Sequence, residues 1–243
     1  MLKKRKGSKL EKKKRKPKLL IDTCIALDCI FNRREKSKEV LDIALKHKWE
    51  INMSIFGGME LLDTIQEREY VNKKFLIEKW SLKDIFNSRR EQDLGSKDFA
   101  KINQQIDDFL NKYKVILRPI KEDAHWKLSF RLAKNSNINA TDILHLITAW
   151  AANCDLLLTN DKPFIREAKK SLKTEKLGNG KPVWTKLRIC APEYFKRTLT
   201  QIGFNMVYVR ELPPPIKKRY GTEKLQLTEK ELWSAPKIKE EKK

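Results

Sequence analysis

The stretch LLLTNDKPF, residues 156–164, is an apolar run that stops at three polar residues. Such a run, closed by turn-forming residues, is typical of a buried strand that ends at the rim of a sheet. Asp161 then lies at the carboxyl end of a strand. The stretch KLLIDTC, residues 18–24, repeats the pattern and ends its apolar run at Asp22. Together they predict two strands that direct carboxylates to one edge of a sheet.

Strands and helices alternate along the rest of the chain. Apolar segments predict strands at about 19–22, 50–56, 114–120, 155–161 and 183–190. Helical periodicity predicts helices over 36–48, 59–71, 97–113 and 123–135, from about 141, and after Pro163 and Pro192. Alternation of this kind requires crossover connections, so it predicts an α/β fold with a mainly parallel central sheet.

Composition divides the chain into one domain with two tails. Residues 1–18 hold eleven Lys or Arg against one Glu, and 213–243 hold nine against five, within a total net charge of +22. We expect a disordered basic tail at 1–18, a domain at 19–212 and an extended arm at 213–243. Residues 63–113 are expected to be a helical insertion or an extended helical part of the domain.

The excess positive charge favours a polyanionic partner, and RNA is the partner we predict. A membrane surface is disfavoured because no lipidation signal or amphipathic segment accompanies the charge. No apolar stretch approaches the roughly 18 residues of a membrane span, and no signal peptide is evident. Four cysteines without C-x-x-C spacing disfavour a zinc site or disulfide framework. We therefore expect a cytoplasmic protein, or a nuclear one if the source is eukaryotic.

Four acidic residues are predicted to converge on one edge of the sheet. Asp22 and Asp161 follow strands, whereas Glu60 and Asp142 begin helices entered from the same edge. Each has an alternative structural role, as a helix cap or dipole partner for Glu60 and Asp142 and as a turn residue for the other two. As a set they favour Mg²⁺ or Mn²⁺, because a divalent cation relieves repulsion between carboxylates. Such a site supports hydrolysis of phosphodiester bonds with one or two ions.

These motifs resemble those of the PIN-domain nucleases, a family that includes the VapC-like ribonucleases. The resemblance covers about residues 18–200, and four segments carry it: IDTCIAL, MELL, ATDILHLITA and LLLTNDKPF. It implies a three-layer α/β/α sandwich, metal-dependent ribonuclease activity, and Asp22, Glu60, Asp142 and Asp161 as metal-binding acids. Many such proteins are toxins with an antitoxin partner, whereas others process RNA. Homodimers are also common among them.

Five residues near the acids have specific expected roles. Cys24 stands where the family often has a small polar residue, which predicts the loss of a polar contact near Asp22. His145 lies one helical turn after Asp142, and we favour a packed or partly exposed role for it over a catalytic one. Thr23, Thr159 and Asn160 are expected either to orient the ligands or to stabilise turns.

Other function classes fit less well. A phosphatase with an aspartyl nucleophile needs a second Asp at position 24, and a dinucleotide site needs a glycine-rich turn after the first strand; neither is present. The alternative that stays open is a PIN-fold RNA-binding or assembly module, for example in a ribonucleoprotein, in which catalysis is dispensable. Its tails favour that role, whereas four retained acids favour the nuclease.

Overall fold

Five short parallel strands form the centre of the fold in a computed structural model that describes residues 15–88, 94–174 and 186–201. The strands are β1 (Lys18–Ile21), β2 (Glu50–Ser54), β3 (Ile116–Arg118), β4 (Leu156–Leu158) and β5 (Arg188–Cys190). Their order across the sheet is β3-β2-β1-β4-β5, and every neighbouring pair is parallel. The predicted parallel sheet is confirmed. Most of the predicted tails, at 1–14 and 213–243, lie outside the described residues.

Helices connect every consecutive pair of strands. Within the described ranges they are α1 (Thr23–Ile30), α2 (Glu35–Lys46), α3 (Ile55–Asn72), α4 (Leu82–Asn87), α5 (Ser96–Tyr113), α6 (Asp123–Asn135), α7 (Ala140–Ala151), α8 (Lys162–Thr174) and α9 (Phe195–Gln201). A π-helical turn follows α3 at Lys73–Ile77, and a 3-10 turn precedes α9 at Pro192–Tyr194. None of the described helices combines the length and apolar character that crossing a membrane requires.

The helices cover the sheet on both faces, which gives a three-layer α/β/α sandwich. One face carries Leu20, Leu157 and Ile189, which pack in a single buried cluster with apolar residues of α6, α7 and α8. Alternation along the strands directs Leu19 and Leu158 to the other face, and α2 packs on that sheet through β2. Strands buried on both faces are apolar throughout, which explains the continuous runs seen in the sequence.

The strand order reverses at β1. The chain runs from β1 outward to β2 and β3, then returns to β4 on the opposite side of β1. The loops after β1 and β4 therefore leave the same edge in opposite directions and open a crevice there. Asp22 follows β1 directly, and Asp161 follows β4 by three residues.

The start of α3 differs from the prediction. The second strand was expected to extend to Phe56, but it ends at Ser54 and α3 begins at Ile55. The reason is a helix cap, because the Ser54 side chain accepts a hydrogen bond from the Gly57 amide. Glu60 consequently lies in the second turn of α3 instead of the first.

Candidate active site

Asp22 lies at the centre of the crevice, where it both ends β1 and caps α1. Its side chain is 6% exposed. Oδ1 accepts a hydrogen bond from the Thr23 amide at 2.7 Å. Oδ2 accepts from Thr159 Oγ1 at 2.5 Å and from Cys24 Sγ at 3.1 Å. The thiol therefore supplies a polar contact to Asp22, and the expectation that Cys24 removes such a contact is wrong.

Glu60 approaches Asp22 from α3. Thr23 Oγ1 donates to Glu60 Oε2 at 2.7 Å, and His145 Nε2 lies 3.4 Å from the same oxygen. The hydrogen bond from His145, reinforced by that from Thr23, holds the pKa of Glu60 below its usual value. The Glu60 side chain is 44% exposed, so it forms the outer wall of the crevice.

His145 projects from α7 into the gap between the two acids. Its side chain has 0% exposure, and Nε2 lies 3.3 Å from Asp22 Oδ1. Burial lowers the pKa of His145, but the bond to Glu60 and the charges of Asp22 and Asp142 outweigh it and raise the pKa above its usual value. The expectation of a packed histidine holds for its burial, yet the ring also contacts two of the predicted acids.

The neighbours of His145 favour a proton on Nε2, which lies 3.3 and 3.4 Å from carboxylate oxygens of Asp22 and Glu60. Ser54 Oγ lies 2.6 Å from His145 Nδ1 and already accepts from the Gly57 amide. Its own hydroxyl proton is therefore available to Nδ1, which leaves a proton on Nε2 of the neutral ring. The charged ring carries a proton there as well. His145 thus acts as a donor to Asp22 and Glu60.

Asp142 lies in the first turn of α7, where its backbone amide donates to the side chain of the capping residue Asn139. Partial burial, followed by the charges of Asp22 and Asp161, raises the pKa of Asp142 to about 7. Glu60 adds to this effect and His145 opposes it. A carboxylate perturbed by three others shares their electrostatic environment, so Asp142 belongs to the same crevice.

Asp161 follows β4 and also stabilises the start of α8. Oδ1 accepts from the Phe164 amide at 2.8 Å, and the backbone oxygen accepts from the Ile165 amide at 2.9 Å, so the residue caps α8. Its own amide donates to Thr159 Oγ1 at 3.0 Å. Thr159 therefore contacts both Asp22 and Asp161 and fixes the distance between the ends of β1 and β4.

A second polar cluster adjoins these residues, and it was not predicted from the sequence. Asp28 in α1 is 4% exposed. Its Oδ2 accepts from Asn160 Nδ2 at 2.6 Å and from Ser37 Oγ at 2.8 Å. The Asn160 amide also donates to Cys24 Sγ at 3.2 Å. These contacts attach the loop that carries Asp161 to α1, and burial raises the pKa of Asp28.

The donor atoms of the crevice suit a hard divalent cation. Asp22, Glu60 and His145 each place a ligand-type atom within 4.8 Å of the others. Because His145 Nε2 carries a proton, the donors of that group are carboxylate oxygens, which Mg²⁺ and Mn²⁺ prefer. Burial, and after it the charges of Asp22 and Asp161, raises the pKa of Asp142, and a cation would relieve the part that is due to charge. The residues present therefore fit such an ion.

Comparison with solved structures finds loosely similar chains. One is a crystal structure of VapBC2 from Rickettsia felis bound to a promoter DNA fragment. It is 16% identical to this chain with a TM-score of 0.44, and the match covers 72% of this chain and 98% of that one. DNA-bound VapBC from Salmonella typhimurium is 14% identical, with a TM-score of 0.42 over 72% and 98%. PAE2754 from Pyrobaculum aerophilum is 12% identical, with a TM-score of 0.40 over 78% and 97%. No protein-family model and no curated protein matches the sequence.

Proposed function

We propose that this chain is a metal-dependent endoribonuclease of the PIN type. Asp22, Glu60, Asp142 and Asp161 hold one or two Mg²⁺ or Mn²⁺ ions. The observation that carries the proposal is the meeting of Asp22, Glu60 and His145 at the end of β1, where their ligand-type atoms lie within 4.8 Å of one another. The pKa of Asp142, which burial and the charges of Asp22 and Asp161 raise to about 7, is consistent with it. Acids that approach one crevice from four separate elements are typical of a site that binds a cation.

The chain's own residues orient the acids for this task. Thr159 and Cys24 occupy Asp22 Oδ2, so Oδ1 is the oxygen directed toward Glu60 and His145. Thr23 and His145 hold Glu60 Oε2 from two sides. When bound, a divalent cation supplies Lewis acidity toward water and the phosphodiester. These hydrogen bonds fix the orientation of the carboxylates in the absence of the ion. Less conformational entropy is therefore lost when a cation binds.

The reaction we propose is hydrolysis by in-line displacement. A water oxygen forms a bond to phosphorus, the bond from phosphorus to the 3′ oxygen breaks, and the water proton passes to that leaving oxygen. The products carry 5′-phosphate and 3′-hydroxyl ends. RNA is the proposed substrate because of the net charge of +22 and the family resemblance. Either a toxin with an antitoxin partner or an RNA-processing nuclease fits this chemistry.

The test is cleavage of end-labelled single-stranded and structured RNA with Mg²⁺, Mn²⁺ or EDTA. Asp22→Asn is compared with Asp123→Asn, which removes one charge at an exposed position on α6. We expect the first variant to abolish cleavage, because it removes a carboxylate from the site, while RNA binding and folding persist. The second variant should cleave like the parent chain.

Three results separate the alternatives. Cleavage that needs metal and disappears only in Asp22→Asn supports the nuclease. Cleavage that persists undiminished in Asp22→Asn refutes the proposed site. Salt-sensitive RNA binding without cleavage in any metal favours the RNA-binding or assembly module instead.

A further inference from the structure

Three arginines cluster where α1 ends, beside the candidate active site. Arg33 and Arg34 lie in the short connection between α1 and α2, and Arg68 lies on the neighbouring face of α3. All three residues are exposed. The pKa of Arg68 is lowered by partial burial and by the positive charge of Arg33, so these two guanidinium groups are close enough to repel. We call Arg33, Arg34 and Arg68 the arginine cluster.

The arginine cluster is connected to the crevice through one buried carboxylate. Arg33 Nε lies 3.3 Å from Asp28 Oδ1, and Asn160 Nδ2 donates to the other oxygen of Asp28 at 2.6 Å. Asp161 follows Asn160 in the chain. Arg33 is therefore separated from the loop that carries a predicted acid by the width of a single carboxyl group. Arg34 also lies within the electrostatic range of Asp28.

The geometry of Arg68 leaves its hydrogen-bond donors available. The guanidinium carbon lies 3.6 Å from the centre of the Phe31 ring, so the flat face of the group is stacked on the aromatic side chain. Stacking restrains the side chain but uses none of the N–H donors, which lie in the plane of the guanidinium. Among the described residues, Arg68 forms no ion pair with a carboxylate. An oriented guanidinium of this kind is suited to bidentate phosphate binding.

Two other basic residues, in contrast to Arg34 and Arg68, are partly neutralised by neighbouring acids. Arg166 Nε lies 2.9 Å from Glu167 Oε1, and Lys36 Nζ lies 2.5 Å from Glu39 Oε2. Among the described residues, the three guanidinium groups of the arginine cluster form one ion pair, that of Arg33 with Asp28. Its positive charge is thus available to a polyanion that approaches the acids from this side.

We propose that the arginine cluster binds the RNA backbone next to the scissile phosphodiester, with Arg34 and Arg68 each contacting a phosphate. The inference rests on the proposed nuclease function, for which it defines the side from which the strand enters. Arg33 is held on Asp28 and adds long-range attraction. Repulsion by the four acids is offset locally, so a phosphate can reach the crevice.

The test is the salt dependence of RNA binding in EDTA, where the proposed metal-dependent cleavage cannot occur. Fluorescence anisotropy with a labelled oligouridylate compares the parent chain with Arg34→Ala, Arg68→Ala and the double variant. Lys134→Ala is the matched control, because it removes one exposed positive charge near Lys170 on the far part of α8. The basic segment at 1–18 is common to all the proteins and therefore cancels in the comparison.

Each lost phosphate contact should reduce the slope of log Kd against log salt by about 0.7, the value for single strands. The slope should fall by about twice that amount in the double variant, and it should not change in Lys134→Ala. Equal slopes for all variants, or a loss in Lys134→Ala as large as in Arg68→Ala, would overturn the proposal. Circular dichroism confirms folding of each variant. Because binding is measured without turnover, this result is independent of the outcome for Asp22→Asn.

Discussion

Gly57 and Gly58 are adjacent in α3 and offer a matched pair of substitutions with opposite expected effects. A Cβ added at Gly57 lies 3.0 Å from His145 Cε1 and 3.2 Å from Ser54 Oγ. A Cβ added at Gly58 meets only Leu117, at 3.4 Å or more. The distances at Gly57 are too short for unstrained packing, whereas the distance at Gly58 is an ordinary van der Waals contact.

The magnitudes follow from helix propensity and packing. Alanine is favoured over glycine in a helix by about 0.5–1 kcal/mol, so Gly58→Ala should stabilise the protein by about that amount. At Gly57 the same gain is opposed by overpacking of about 1–3 kcal/mol. His145 cannot move aside easily because it is buried and hydrogen-bonded at both ring nitrogens. Gly57→Ala should therefore destabilise the protein by up to about 2.5 kcal/mol.

Urea unfolding followed by circular dichroism, without metal and at one pH, measures both effects. RNA cleavage by the same proteins adds a second measurement, because a displaced His145 no longer holds Asp22 and Glu60. We expect Gly57→Ala to lose stability and activity together and Gly58→Ala to lose neither. If the two variants changed stability in the same direction and by similar amounts, the corner formed by Ser54, Gly57 and His145 would not be rigid and the argument would fail.

Two further predictions concern the buried carboxylates. Asp142 keeps its proton up to about pH 7 in the folded state but loses it near 4 when unfolded, so stability in EDTA should fall between pH 4 and 7. After allowance for the partial exposure of Asp142, the free energy of unfolding should fall by about 1–2 kcal/mol over this range. Urea titrations at several pH values should show that the free energy of unfolding depends less on pH in Asp142→Asn. An identical dependence in the two proteins would contradict the raised pKa of Asp142. Asp28→Ala should destabilise the protein by about 2–4 kcal/mol, because it leaves the donors of Asn160 and Ser37 without their buried acceptor. An effect as small as that of Asp123→Ala, measured in the same way, would refute this role.

The sheet could be predicted because its strands are buried on both faces. Leu19, Leu20 and Leu156–Leu158 have 0% exposure, and such residues produce the uninterrupted apolar runs that reveal a parallel strand. The strand order could not be predicted, because pairing of β1 with β4 depends on contacts between distant parts of the chain. The start of α3 was misplaced because the apolar residues Ile55 and Phe56 extend the pattern of the strand, whereas Ser54 caps the helix and both Gly57 and Gly58 lie inside it.

The candidate site was predictable only where a residue's position follows from local pattern. Asp22 and Asp161 follow apolar runs, so their location at the sheet edge could be inferred. The contact of His145 with Ser54 joins residues 91 positions apart, and that of Asp28 with Asn160 spans 132. No local pattern marks such pairs. Asp28 is one of 32 acids, and only the fold distinguishes it from a surface residue.

The bridge from Thr159 to Asp22 has a consequence for the order of events during synthesis. A chain that has emerged only as far as β3 already contains Asp22 and Glu60, yet Asp22 Oδ2 still lacks the hydroxyl that orients it. The crevice closes only after β4 has inserted beside β1 and brought Asp161 with it. If the protein is the nuclease proposed above, the nascent chain remains inactive among the abundant RNA of the ribosome until β4 and Asp161 have been made.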